Sequence, residues 1–305
     1  MKLKIVLLYL FSFTLSACNF SRLLERPAKT PADKKDGQTI SNIVRDGKIV
    51  GYDTTEVHIG DRFQPTFTDA RNNPKDLNYT VESVVFKNNK GLDINGWMIK
   101  PKNRTPDITL LFLHGNGGNI ISHCPGALPL VEKGFQVFII DYSGFGYSQG
   151  KATRKNAMAD GAAALQYLYN RADVKNTRIV VYGQSMGAHF APAIAASHQQ
   201  WTDGMVIEGG FMSWKAVAAY HVVLGFVPRL FMKEDYSVAE ALKTYRKPVL
   251  VIHSSEDKTV PISMGIKIFN TAGYPKSYLE IGKCHVCGPI YYSDKISEKI
   301  RAMVK

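Results

Sequence analysis

Cysteine is scarce. Four occur in 305 residues, Cys18, Cys124, Cys284 and Cys287, and no further ligands stand at zinc spacing around the Cys284-His285-Val286-Cys287 run. No metal site is therefore expected, and a redox C-x-x-C would require a helix start in a small βαβ domain. Long apolar runs are also scarce. One lies at the N-terminus and there is no second, which excludes a polytopic membrane protein. No internal repeat is found. The basic residues are scattered without an interleaved basic–aromatic array, so no nucleic-acid partner is expected. With Gly 25 and Pro 14 the chain is neither collagen-like nor low-complexity, and 45% hydrophobic residues are too many for a disordered polymer. What remains is one α/β-sized domain, ordinarily about 200–250 residues, plus an additional segment.

That segment begins with Lys2 and Lys4, followed by an apolar or hydroxylic stretch over 5–15. Eleven residues rise about 16 Å as a helix, short of a hydrocarbon core of roughly 30 Å. This is signal-peptide anatomy, predicted to cover 1–17. It ends Leu15-Ser16-Ala17-Cys18, which resembles a bacterial lipobox with Cys18 as the lipidated residue. Asn19 after the cysteine inclines the expectation to the outer rather than the inner membrane of the cell envelope. The net charge is +12, of which Lys2 and Lys4 supply two. Attraction to anionic lipid and a plain lysine-rich surface account for the excess equally well.

Residues 18–75 read as a tether and N-terminal arm. The stretch 19–40 is expected to be solvated. Over 41–75, the segments 49–52 and 57–59 are read either as short strands or as arms lying on the domain. From 76 to 305 the pattern becomes regular. Two antiparallel strands, 81–88 and 92–100, precede an alternation of short apolar strands and helices: strand 108–113, helix 119–133, strand 135–140, helix 153–170, strand 178–182, helix 186–199, strand 204–207, strand 249–253, helix 261–272, strand 278–281 and helix 289–304. Strands that are apolar throughout imply a mostly parallel sheet covered on both faces by helices. The aromatic stretch 211–236 interrupts this rhythm as a small cap insertion. It reads either as a lid lining an acyl-binding cleft or as an ordinary buried helix pair.

Gly183-Gln184-Ser185-Met186-Gly187 follows an apolar strand and opens a helix. This is the strand–turn–helix setting in which G-x-S-x-G presents a nucleophile. A serine hydroxyl needs a base, and the base needs an orienting carboxylate, in chain order serine, acid, histidine. His285 follows the last strand. Asp257 follows strand 249–253, with Glu256 adjacent as an alternative. The remaining histidines, His58, His114, His123, His189, His198, His221 and His253, are read as structural. His114-Gly115-Asn116-Gly117-Gly118-Asn119 can turn main-chain amides toward a developing oxyanion. Met186 and Asn116 are assigned as the donors, with Gly117 a competitor to Asn116. Gly144, Gly146 and Gly150 in 141–150 are spaced one residue too long for a dinucleotide loop, and no acidic residue ends the following strand, so no nucleotide cofactor is expected.

Taken together, HGNGGN, DYSGFGYSQG, GQSMG, HSSEDKTVP and a late histidine resemble the α/β-hydrolase superfamily. The similar branch holds monoacylglycerol lipases, lysophospholipases, depalmitoylating thioesterases and serine aminopeptidase-like enzymes. The resemblance covers about 76–305 and implies an α/β-hydrolase fold, a Ser185–His285–Asp257 triad and ester or thioester hydrolysis without a cofactor. It favours Asp257 over Glu256, because His-x-x-x-Asp-x-x-Val-Pro fits the family pattern. Ser143 departs from it where arginine is frequent, and so do Cys284 and Cys287 around the base. Because this fold brings the loop after 113 and the loop bearing His285 to one sheet edge, it also implies a Cys124 bridge to Cys284 or Cys287. Three functions remain in view: an esterase acting on lipid-like acyl substrates, a peptidase using Glu208 to hold a substrate amine, and an inactive binding lipoprotein. The oligomeric state is not legible.

Overall fold

The computed structural model describes residues 36–45, 48–221 and 236–305. The leader, Cys18, the tether up to residue 35 and the middle of the cap, 222–235, lie outside the described residues.

Eight strands form the main sheet. In chain order they are β4 (Tyr79–Lys87), β5 (Asp93–Pro101), β6 (Ile108–Leu113), β7 (Gln136–Ile140), β8 (Arg178–Gln184), β9 (Gly204–Glu208), β10 (Val249–Ser254) and β11 (Lys276–Ile281). Their spatial order is β11-β10-β9-β8-β6-β7-β5-β4. All neighbours from β11 to β7 are parallel, while β5 runs antiparallel to β7 and to β4. Helices α1 (Ile120–Glu132), α2 (Arg154–Tyr169), α3 (Met186–Ser197), α4 (Trp214–His221), α5 (Val238–Thr244) and α6 (Ile262–Thr271) lie in the connections between strands, and α7 (Gly288–Met303) follows β11.

The apolar runs follow from burial on both faces. Leu111 and Leu113 of β6 join a cluster with Leu165 of α2 and Phe190 of α3. Leu110 and Phe112 point the other way, toward Leu130 of α1 and Ile300 of α7. Phe112 is fully buried and stacks on Tyr182 at 5.3 Å. Truncating such a ring to alanine ordinarily costs about 3–5 kcal/mol. From β6 the chain crosses to β7 on one side and then to β8 on the other. This reversal opens a crevice beyond the carboxyl ends of the strands.

Two segments differ from the sequence expectation. Asp36–Arg45 forms β1 and pairs antiparallel with β2 (Lys48–Ile59), so 36–40 belongs to a hairpin rather than to a solvated tether. β3 (Pro65–Thr68) completes this small sheet. Val57 and Ile59 are buried in the main core, and Phe67 packs edge-on to Trp97. The arm is thus an integral layer of the domain. Helix α5 is the second difference. Its signal is Ser237 three residues before Glu240, and the Ser237 hydroxyl accepts the Glu240 N–H at 3.2 Å.

Candidate functional site

β8 ends in the turn Gly183–Gly187. A Cβ on Gly183 would run into the α3 backbone at Ala188, and one on Gly187 would collide with the carbonyl oxygen of Leu113 at the end of β6. Only glycine permits strand and helix to meet this closely. Between them Ser185 adopts φ 53°, ψ −110°, a region that L-residues rarely occupy, which lifts its side chain above the sheet edge. Met186 is buried at the first position of α3, where main-chain N–H groups have no acceptor within the helix.

The structure brings Ser185, His285 and Asp257 together. The Ser185 hydroxyl lies 2.8 Å from His285 Nε2, positioned to donate to it, and His285 Nδ1–H donates to Asp257 Oδ2 at 2.6 Å. His285 is partly exposed, while the Asp257 side chain is fully buried. Asp257 Oδ1 accepts the N–H groups of Thr259 and Val260, both at 2.8 Å. Burial works to raise this carboxyl. The hydrogen bond and charge of His285 and the two amides outweigh it, holding Asp257 below the ordinary carboxylate value. Glu256 is exposed and accepts the Lys283 N–H at 3.2 Å instead.

The glycine loop after β6 lies against the serine. A Cβ on Gly115 would sit 3.5 Å from Ser185 Cβ. Gly117 and Gly118 take left-handed φ of 82° and 70°. The Gly117 N–H donates to Asn116 Oδ1 at 3.0 Å, which occupies the competing amide. His123 donates from Nε2 to the Gly117 carbonyl at 2.7 Å and stacks on buried His114 at 4.4 Å, so it buttresses this loop. Sequence reasoning missed that role, because nothing in the local pattern relates position 123 to position 117.

Of the other histidines, His114 is held well below its usual value by burial and by His123. Burial pushes His189 down to about 3, and it stacks on Phe211 at 4.5 Å. His253 is buried and donates to the Val260 carbonyl at 2.9 Å. Of the glycines in 141–150, Gly146 makes room for a buried carboxyl, while Gly144 packs on the backbone at Ala152 and Gly150 on Leu92. A Cβ on Gly146 would overlap Asp141, whose carboxylate accepts the Ile120 N–H at the start of α1 at 2.8 Å. Burial raises Asp141 to about 7. Ser143, the departure from the family pattern, donates its N–H and hydroxyl to buried Asp160 at 2.6 and 3.0 Å.

Two expectations are corrected. The disulfide joins Cys284 to Cys287, three positions apart with His285 between them, and Cys124 is a buried free thiol raised to about 12 by burial. Cys124 points into the α1 core, so it does not reach the histidine loop. Glu208 is fully buried and already accepts three donors, so it is not presented to a substrate amine. Beside His285 lies a cleft of about 630 Å³ whose walls include Tyr220, Glu256, Lys258 and Lys283. The described part of the cap, α4, buries Trp214 and Val217 and leaves Tyr220 half exposed.

A family model described as serine aminopeptidase, S33 (Hydrolase_4) matches residues 104–236, the span from the glycine loop through the G-x-S-x-G turn. The esterase Pf2001 of Pyrococcus furiosus has the same fold, with a TM-score of 0.61 at 21% identity over 76% of this chain and 94% of that one. The chain has the α/β-hydrolase fold. This chain is also similar to the uncharacterized protein YfhR of Escherichia coli, 29% identical over 209 residues, covering 67% of this chain and 72% of that protein. Protein bem46 of Schizosaccharomyces pombe is 28% identical over 207 residues, covering 67% and 69%. Est1E of Butyrivibrio proteoclasticus, solved with ferulic acid bound, superimposes with a TM-score of 0.58 at 18% identity, over 72% and 96% of the two chains.

Proposed function

We propose that this hydrolase is a serine carboxylesterase or thioesterase working through an acyl-enzyme on lipid-like acyl substrates. The hydrogen-bonded chain Asp257–His285–Ser185 carries the reading. His285 Nε2 takes the Ser185 proton as Oγ bonds to the substrate carbonyl carbon, and Asp257 steadies the imidazolium. The oxyanion rests on the Met186 and Asn116 amides, one such donor being worth roughly 2.7–4 kcal/mol. The imidazolium returns its proton to the leaving alcohol or thiol as the carbonyl reforms. Water, deprotonated by His285, then releases the acid and regenerates Ser185.

Ester substrates are favoured over peptides because the carboxylate that would anchor a substrate amine, Glu208, is sealed inside. Tyr220, the aromatic residue of α4 that lines the cleft beside His285, favours an acyl chain. The test is a chain-length series of p-nitrophenyl esters beside aminoacyl p-nitroanilides, with labelling by a fluorophosphonate. Ester turnover with covalent labelling is expected. Faster aminoacyl cleavage favours the peptidase reading, and neither activity favours an inactive scaffold.

The leader, ending at Cys18, supports a lipid-anchored enzyme of the bacterial cell envelope, on the outer membrane. Several acyl chains together give stable anchoring. Labelled palmitate is expected in the full chain and lost in Cys18→Ser. Equal solubility of the two proteins, with no label in either, removes the anchor.

A further inference from the structure

We propose that Glu208 is a positioning residue for the catalytic base, its buried carboxylate tying the turn that carries Ser185 to the loop that carries His285. The inference rests on the serine-hydrolase reading above. Glu208 ends β9, and its two functional groups serve the two halves of the site. Its main-chain carbonyl accepts the Ser185 N–H at 2.9 Å. Its side chain reaches across to the histidine loop, where Oε1 accepts the Gly288 N–H, the first of α7, at 2.7 Å. Oε2 accepts the Tyr182 hydroxyl at 2.7 Å and the Gln184 amide at 2.8 Å. That same Gln184 amide also donates to the Val286 carbonyl at 3.3 Å. Positions 286 and 288 flank the base by one and three residues.

The backbone is shaped for this contact. A Cβ on Gly288 would lie 2.7 Å from Glu208 Oε1, so only glycine admits the carboxylate to the helix N-terminus. The residue after Glu208 is Gly209 at φ 58°, where a Cβ would press on the His285 ring at 3.0 Å from Cε1. Residues 208 and 209 therefore hold the loop and support the ring together. A fully buried carboxyl is costly without donors, and here burial raises its pKa while Gln184, Tyr182, Gly288 and the nearby His285 oppose that rise. Nothing in the acyl-transfer steps needs this group directly. Its placement accounts for the stable geometry of a histidine borne on an irregular loop.

The titratable groups facing Glu208 are Tyr182 from β8 and His285 from the loop. His285 in turn faces Asp257, with His253 of β10 behind that carboxylate. Removing the Glu208 charge disfavours imidazolium, so the acid limb of the rate profile should move to lower pH. The test is Glu208→Gln in the full chain, with active sites counted by fluorophosphonate titration. Gln keeps the shape but sets an NH2 against incoming donors. The expected result is a kcat per labelled site lower by about 10- to 100-fold, as for a displacement of up to 1 Å. KM should change little, and the acid limb should shift down in pH. A folded variant with wild-type kcat per site and an unmoved acid limb overturns the inference, and so does a loss explained wholly by fewer labelled sites. If Glu208→Gln does not fold, Tyr182→Phe decides. It removes one donor while keeping the ring on Phe112, and should give a smaller loss of kcat per site, whereas an unchanged value overturns the inference. Failure of the wild type itself to label at Ser185 overturns the serine-hydrolase reading, and this inference with it.

Discussion

Ser185→Ala is expected to abolish p-nitrophenyl ester turnover and fluorophosphonate labelling, with kcat falling by about 10⁴-fold or more, while far-UV circular dichroism and thermal unfolding should stay native-like. The magnitude follows from the role. Without the hydroxyl there is no acyl-enzyme, and only the amides of the site and substrate binding remain, which elsewhere leave a small residual rate. The fold should tolerate the change because the Ser185 main chain carries the local bonds: its N–H to Glu208 and its carbonyl from His189 N–H. The strained φ of 53° stays in the variant, since alanine shares it. Turnover within tenfold of the wild type would take Ser185 out of the reaction and leave the G-x-S-x-G turn as architecture alone.

Asp257→Asn is expected to cost nearly as much, about 10⁴-fold in kcat. The amides of Thr259 and Val260 hold Oδ1, so an asparagine there must keep its oxygen toward them. Its NH2 then faces His285 Nδ1, which becomes an acceptor, and the ring proton moves to Nε2. A protonated Nε2 cannot take the proton of Ser185. The adjacent Glu256→Gln should be near wild type, because that side chain bonds the main chain of Lys283 and not the imidazole. The reverse ranking, a severe Glu256→Gln and a mild Asp257→Asn, would transfer the orienting role to Glu256. A pH series adds a check. The depressed Asp257 carboxyl contributes stability that is present above the ordinary carboxylate pKa and is lost as pH falls through its lowered value.

The sequence made some of this readable and hid the rest for physical reasons. Strand 108–113 could be seen because both of its faces are buried, which leaves six apolar residues in a row. The Gly183–Gly187 turn could be seen because contact with Ala188 and Leu113 admits no side chain, so the steric demand is written as two glycines at fixed spacing. The β1–β2 hairpin was hidden. Its first strand, DGQTISNIVR, is mostly polar, and its pairing with 48–59 is a tertiary fact. Cysteine connectivity was hidden because three thiols permit three pairings, and the loop geometry that selects Cys284 with Cys287 has no residue signature. Between Asp257 and Glu256 the local pattern alone could not choose. The choice depends on which carboxylate the turn after β10 directs inward, and the structure directs Asp257. Glu208 was visible only as a lone acid ending an apolar strand, and it was read as a substrate contact when its partners are internal.

Ser185, Glu208, Asp257 and His285 each leave the end of a different strand along one rim, while the hydrophobic layers beneath draw on other positions of the same strands. Folding and chemistry are thereby assigned to separate residues. Side chains that only line the cleft, such as exposed Tyr220, can change in character, and with them the range of molecules admitted, at little cost to the sheet or to the proton-transfer chain. Diversification of substrate preference on this scaffold is therefore expected to accumulate there first, with the rim left as it is.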